Sequence, residues 1–286
     1  MLGLSVGYLL AVCVGVSLGL LGSGGGILAL PILVYVMGIP PKTAIAMTLV
    51  IVGVASVLAL IPQWRRGYVN LKTVFIFGST TMTGAFLGAR IATLPFVSAT
   101  FQILLFALMM LLAAGLMIYR SSQQQSNQQV SVGEPIMPDP DQYRWIWLLP
   151  QGLGIGILTG LVGVGGGFAI VPALVLLGNI PMRQAIGTSL LIIALNAVAG
   201  LAGYLGKVTI DWPVTISFTL AASLGVLIGS RLSQLVSVKH LQKGFGYFLL
   251  AVAVLVLMQN RSSFQRSQSS TQSFQDKTAF LAAKTN

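Results

Sequence analysis

Apolar residues fill long stretches of this chain, and polar residues are confined to the gaps between them. Apolar segments run over about 2–21, 26–38, 44–62, 72–93 and 96–119, and again over about 145–162, 167–178, 185–206, 213–232 and 241–258. Several reach the ~20 residues that carry a helix across a bilayer. The pattern predicts an all-α polytopic membrane protein. The first segment lacks a basic leader and reads as a retained helix rather than a signal peptide. Between the two sets lies "RSSQQQSNQQVSVGEPIMPDPDQYR", which is rich in Gln and Ser and holds three prolines. Such a stretch buries too little apolar surface to order itself. The expected organisation is a first membrane unit at 1–119, a polar linker at 120–144, a second unit at 145–259 and a polar tail at 260–286.

The two sets are copies. A shift of 141 residues aligns "LLGSGGGILALPILVYVMGIPPKTAIAMTL" with "LVGVGGGFAIVPALVLLGNIPMRQAIGTSL" without a gap, and 13 of those 30 positions are identical. The same shift pairs Gly84 with Gly225, Gly88 with Gly229, Arg90 with Arg231 and Lys42 with Arg183. Two-fold repeats are common in secondary transporters, whose substrates bind near the midplane beside interrupted helices. The segments that follow the glycine runs are too short for a straight span, so each is expected to be broken or re-entrant. If re-entrant, each half has four spans and the halves are parallel. If crossing, each half has five and the halves are inverted. The placement of Lys and Arg favours four plus four, with both termini cytoplasmic.

Composition removes several function classes. Of the 286 residues, 55% are hydrophobic and 7% charged, against about 25% charged in ordinary soluble domains. The net charge of +11 does not signal nucleic acid, because the basic residues are scattered at segment ends, as membrane anchors are. The partners expected are the lipid bilayer and a small anion, with the oligomeric state left open. Four of the five acids, Glu134, Asp139, Asp141 and Asp276, fall in the linker and tail. Asp211 opens a segment. With no acid inside a span, a carboxylate relay or a cationic substrate is poorly served. His240 is the only histidine, which excludes bis-histidine haem and histidine-cluster metal sites. No nucleophile has a base partner within the spans. Neither an enzyme, nor a cofactor, nor a metal site is expected. Cys13 stands alone and is expected to pack as a small hydrophobe.

Candidate chemistry rests on glycines, hydroxyls and arginines. Each glycine weakens a helix interior by roughly 1 kcal/mol, yet Gly24, Gly25 and Gly26 recur as Gly165, Gly166 and Gly167. Small residues let membrane helices approach closely. A bare turn feeding a helix N-terminus also presents free N–H groups that favour an anion. Such a break must face protein or a wet cavity. A soluble dinucleotide fingerprint is excluded, because Ile27 and Phe168 stand where its third glycine belongs. Thr48, Thr188 and Ser189 lie in the matching "AMTL" and "GTSL" stretches and either donate to an anion or bond back to their own helices. Asn196, buried by context, needs partners. Arg90 in "LGAR" and Arg231 in "IGSR" either snorkel to the headgroups or present a guanidinium to an oxyanion.

The paired "GLLGSGGGILALPIL…GIPPKTAIAMTL" and "GLVGVGGGFAIVPAL…NIPMRQAIGTSL", with the "GAR" and "GSR" helix ends, resemble the sulfite exporter TauE/SafE family. That resemblance implies a multi-pass transporter of the cytoplasmic membrane, built by duplication of about four spans. It also implies sulfur oxyanions and small organic anions as substrates. Met47 stands where the second copy has Thr188, so the two half-sites are expected to be unequal. The expected function is a secondary transporter of small anions. Its alternatives are a channel-like anion pore and a membrane scaffold without transport.

Overall fold

In a computed structural model of the chain, residues 2–22, 25–94, 97–123, 142–163, 167–176, 178 and 180–233 are described, with 247, 250, 251, 253 and 254 beyond them. Every regular element among them is helical. In chain order these are α1 (Leu2–Leu21), α2 (Gly25–Pro31), α3 (Pro41–Arg65), α4 (Leu71–Ala92), α5 (Ala99–Gln123), α6 (Gln142–Val162), α7 (Gly167–Leu176), α8 (Met182–Tyr204) and α9 (Trp212–Leu232). Helices α3, α4, α8 and α9 are long and apolar enough to cross a membrane. The predicted linker is invaded from both ends, by α5 through Gln123 and by α6 from Gln142. The rest of it, most of the expected segment 241–258 and the tail lie outside the described residues.

Local chemistry sets the helix ends. Pro41 starts α3 with φ already near the helical value. The Asn70 side chain caps α4 by accepting from the Thr73 N–H at 3.1 Å. Asp211 caps α9 by accepting from Val214 N–H at 3.2 Å. Inside α2, Pro31 supplies no N–H and its ring crowds the preceding turn. The chain widens there into a π turn over Ile32–Val36. A second π turn, Val74–Gly78, interrupts α4.

Helices α3 and α8 form the centre. Their spanning windows are 61% and 72% buried, against 44% for α4 and α9. Two flanking pairs wrap them, α1 with α9 and α4 with α6. Glycines make these pairs close. A Cβ on Gly84 would lie 2.8 Å from Ile157 N, and one on Gly225 2.8 Å from Val16 N. Backbones this near leave no room for side chains, which is how small residues hold membrane helices together where lipid supplies no hydrophobic drive.

The same contacts fix helix direction. Tyr8 meets Ser217 with hydroxyl oxygens 2.8 Å apart, Gly15 lies against Ala222, and Gly19 against Ser230. Residue numbers rise together, so α1 and α9 run parallel. So do α4 and α6, with Gly84 on Leu153 and Gly88 on Leu161. So do α4 and α8, with Gly78 near Ile192 and Gly203 near Ala89. Helices α3 and α8 run antiparallel, because Gly53 faces Ala197 while Leu49 faces Gly200. Helix α2 and its π turn run back along α1, bringing Met37 beside Gly7.

These directions run against the four-span expectation. A re-entrant segment would return the chain to the side it left, and α1 and α3 would then point in opposite directions. They point the same way, as do α6 and α8, so α2 and α7 each run back between them. Length misled the sequence reading because the ~20-residue rule applies to helices whose ends must reach water. Ile27, Ala29, Leu30 and Leu33 of this segment are buried, so neighbouring helices supply the cover that lipid would otherwise demand.

Candidate functional site

Both glycine runs interrupt the chain. Helix α1 stops at Leu21 and α6 at Val162, and the next residues, Gly22 and Gly163, have φ of 75° and 72°. Their N–H groups donate to Leu18 and Thr159 carbonyls, each at 2.8 Å. This left-handed closing turn strongly favours glycine. There is also no room for a side chain, since a Cβ at Gly22 would strike Ile186 and one at Gly163 would strike Ile45. Each turn is thus seated on the first residues of the opposite half's central helix. Sequence reading placed the requirement on the later glycines. Gly25 and Gly167 open α2 and α7, and Gly26 is packed so that a Cβ would lie 2.9 Å from the Val52 Cγ2. Gly24, Gly165 and Gly166 lie outside the described residues.

The predicted hydroxyls all make hydrogen bonds within the protein. Thr48 Oγ1 donates to Ala44 O at 2.7 Å, and Ser189 Oγ donates to Ile186 O at 2.8 Å. Thr188 Oγ1 accepts the Asn70 N–H at 3.0 Å, tying the start of α4 to α8. Met47 has no hydroxyl to do the same for Asp211, so the asymmetry between the copies is visible as a missing tether. Arg90 and Arg231 do not come together. Arg231 lines a cavity with Arg65 and Arg66, at the α3–α4 connection. Arg90 lies nearly the full length of α4 away, roughly 28 Å at 1.5 Å per residue, with its guanidinium 5.6 Å from the centre of the Phe86 ring. Cys13 is exposed rather than packed.

Two buried polar groups of the central pair stand apart: Asn196, whose need for partners the sequence signalled, and Ser56, which it did not. Ser56 and Asn196 are buried at the α3–α8 crossing, and Ser56 Oγ and both Asn196 amide atoms have no hydrogen-bond partner among the described residues. Leaving such groups bare costs about 1–3 kcal/mol each, and each asks for an explanation. The antiparallel crossing sets Ser56 and Asn196 level within about one turn. Ser56 is one turn beyond Val52, the residue packed on Gly26. Asn196 sits between Ile192, which meets the π turn of α4, and Gly200, which meets Leu49.

A vestibule opens toward this crossing from one end. It has a volume of about 200 Å³ and is lined by Leu20, Gln63, Arg66, Tyr68, Arg183 and Ile186 among others. Ile186 is the residue beneath the Gly22 turn. Gln63, Ser56 and Val52 fall on one stripe of α3, leading from the vestibule floor to the glycine break in about 10 Å along the axis from Gln63 to Ser56. Arg66 and Arg183 give the mouth positive charge. Positive charge thus gathers at one end of the central pair, and unpartnered neutral polar groups lie halfway along it.

Comparison with known proteins agrees with a transport architecture. Residues 8–256 match the family described as "Sulfite exporter TauE/SafE". A probable membrane transporter protein of Xylella fastidiosa (strain 9a5c) is 33% identical over 261 residues, covering 87% of this chain and 93% of its own. The probable membrane transporter protein YdhB of Bacillus subtilis is 26% identical, covering 85% of this chain and 96% of its own. Another from Methanocaldococcus jannaschii, MJ0441, is 24% identical over 87% and 95%. No solved structure matches.

Proposed function

The chain belongs to the sulfite exporter TauE/SafE family of membrane transporters, and from that premise we propose that it carries a small anion of the sulfur-oxyanion or organosulfonate class across the cell membrane. The halves act as inverted repeats. The carrying observation is the unpartnered Ser56 and Asn196 at the α3–α8 crossing. They are the bare donors that a dehydrated oxyanion requires at the midpoint of its path. Arg66 and Arg183 collect the anion in the vestibule, and the backbone at Gly24–Gly26 and Gly165–Gly167 completes its coordination. Thr188 ties the start of α4 to α8 beside it, while Thr48 and Ser189 bond within their own helices. The pairwise contacts support the repeat reading: Gly22 on Ile186 repeats as Gly163 on Ile45, and Gly84 on Leu153 repeats as Gly225 on Val12. Alternating access follows when one half tilts against the other about the α3–α8 crossing, closing this vestibule and opening its counterpart.

Flux into proteoliposomes, with sulfite, sulfate, thiosulfate and sulfonates offered in turn, tests the reading. Saturable uptake and counterflow of one of these anions is expected, with loss of flux in Asn196→Leu. Single-channel currents, or no movement of any anion in the panel, would refute it.

A further inference from the structure

We propose that the groove between α3 and α9 is a binding site for an anionic phospholipid. The groove has a volume of about 470 Å³, with Ile61, Pro62 and Leu227 on its walls and Arg65, Arg66 and Arg231 at its head. Ile61 is 47% and Leu227 56% exposed, and Val57 and Ile228 beside them are exposed too. This is the outer, lipid-facing side of the bundle. Trp64, also exposed, stands next to the arginines and marks the level of the headgroups, where tryptophan's amphipathic ring settles.

The occupant follows from charge and shape. The only carboxylate among the described residues, Asp211, caps the far end of α9, so the protein described here leaves the three guanidiniums uncompensated. A guanidinium fork matches the paired oxygens of a phosphodiester. A zwitterionic lipid would bring its own cation against three others. A soluble anion would gain nothing from the apolar walls, whereas an acyl chain fills them. Basic pockets between membrane helices beside apolar grooves are suited to lipid headgroups. The groove shares Arg66 with the vestibule but has Arg65 and Arg231 where the vestibule has Arg183, and the lipid assignment stands whichever anion the protein carries.

The full-length protein, purified in mild detergent and delipidated, is offered phosphatidylglycerol or phosphatidylcholine at equal concentration, and adducts are counted by native mass spectrometry. Phosphatidylglycerol is expected to bind preferentially. The double variant Arg65→Gln/Arg231→Gln should weaken it by about tenfold or more and leave phosphatidylcholine unchanged. Leu227→Trp, which keeps every charge and fills the groove, should weaken phosphatidylglycerol as well, which guards against a fold defect in the charge variant. Equal phosphatidylglycerol binding by the unaltered protein and Leu227→Trp would overturn the proposal. So would displacement of phosphatidylglycerol by equimolar glycerol phosphate or sulfate, since the site would then belong to a soluble anion. Binding that appears only after Glu134, Asp139 and Asp141 are neutralised would give the groove to the linker and equally sink the lipid.

Discussion

Asn196 is a residue whose burial gains nothing for the fold as it stands. Its amide sits 1% exposed with neither end bonded, and burying such a group bare costs about 1–3 kcal/mol. Leucine has the same branched four-heavy-atom side chain, somewhat larger, and no polar atom. Asn196→Leu should therefore raise the thermal unfolding temperature in detergent while lowering flux at least tenfold (a loss of about 1.4 kcal/mol of transition-state stabilisation). A drop in both would mean that the amide is a structural tie. Gly22 makes the opposite prediction. Alanine there meets a left-handed φ, at roughly 1–2 kcal/mol, and Ile186 in addition. Gly22→Ala should destabilise by about 2–4 kcal/mol, and adding Ile186→Ala, which removes the Cγ2 that the new Cβ would meet, should recover part of that loss relative to the sum of the two single variants. No restoration in chemical denaturation would show that the clash is absent. Of the two roles open to the hydroxyls of Thr48 and Ser189, sequence could not choose, because it does not show which acceptor lies nearest; their own helix carbonyls lie within reach.

At the scale of elements, glycine spacing decides which helices meet. Gly15 and Gly19 sit four apart, as do Gly84 and Gly88, Gly156 and Gly160, and Gly225 and Gly229. Each pair presents a flat stripe to another. The repeat showed those glycines to be equivalent, but it did not show that each stripe packs on the opposite half's partner. That exchange is set by helix direction, which a cross-link can check. In a Cys13→Ser background, Tyr8→Cys with Ser217→Cys should be joined by a short bis-maleimide cross-linker, because the Tyr8 hydroxyl reaches to 2.8 Å from that of Ser217 and the span left by the lost ring is too long for a direct disulfide. Tyr8→Cys with Ser230→Cys should not, since parallel α1 and α9 hold those positions nearly the length of a helix apart. Efficient cross-linking of the second pair would reverse the assigned direction. The short helices tell the same story: their length suggested re-entry, and packing on all sides released them from the need to be long.

For the whole molecule, the directions of α1 to α9 divide the basic residues between two ends. Arg65, Arg66, Arg183 and Arg231 share one, and Lys42, Arg90 and Lys207 share the other. The four-span arrangement would instead separate Arg66 from Arg183. Single cysteines at these positions, labelled with an impermeant maleimide in intact cells and in inverted vesicles, discriminate the two. Arg66→Cys and Arg183→Cys should react from the same side, and Lys207→Cys from the opposite one. Reaction of Arg66→Cys and Arg183→Cys from opposite sides would return the chain to parallel halves.

The sequence by itself determined that this chain lives in a membrane, that it is all helix, that its two halves share one pattern, and that the glycine runs break the chain. Each of these follows from composition or from spacing along one helix, where neighbours in sequence are neighbours in space. Only the tertiary structure decided that the short segments run back rather than turn back. It also decided that Arg90 and Arg231 stand at opposite ends, and that Ser56 and Asn196 lie buried at about the same level of the central pair. Those facts depend on which helix faces which and in what direction. Close contacts between residues over a hundred positions apart set that choice, and no local pattern of apolar and polar residues records it.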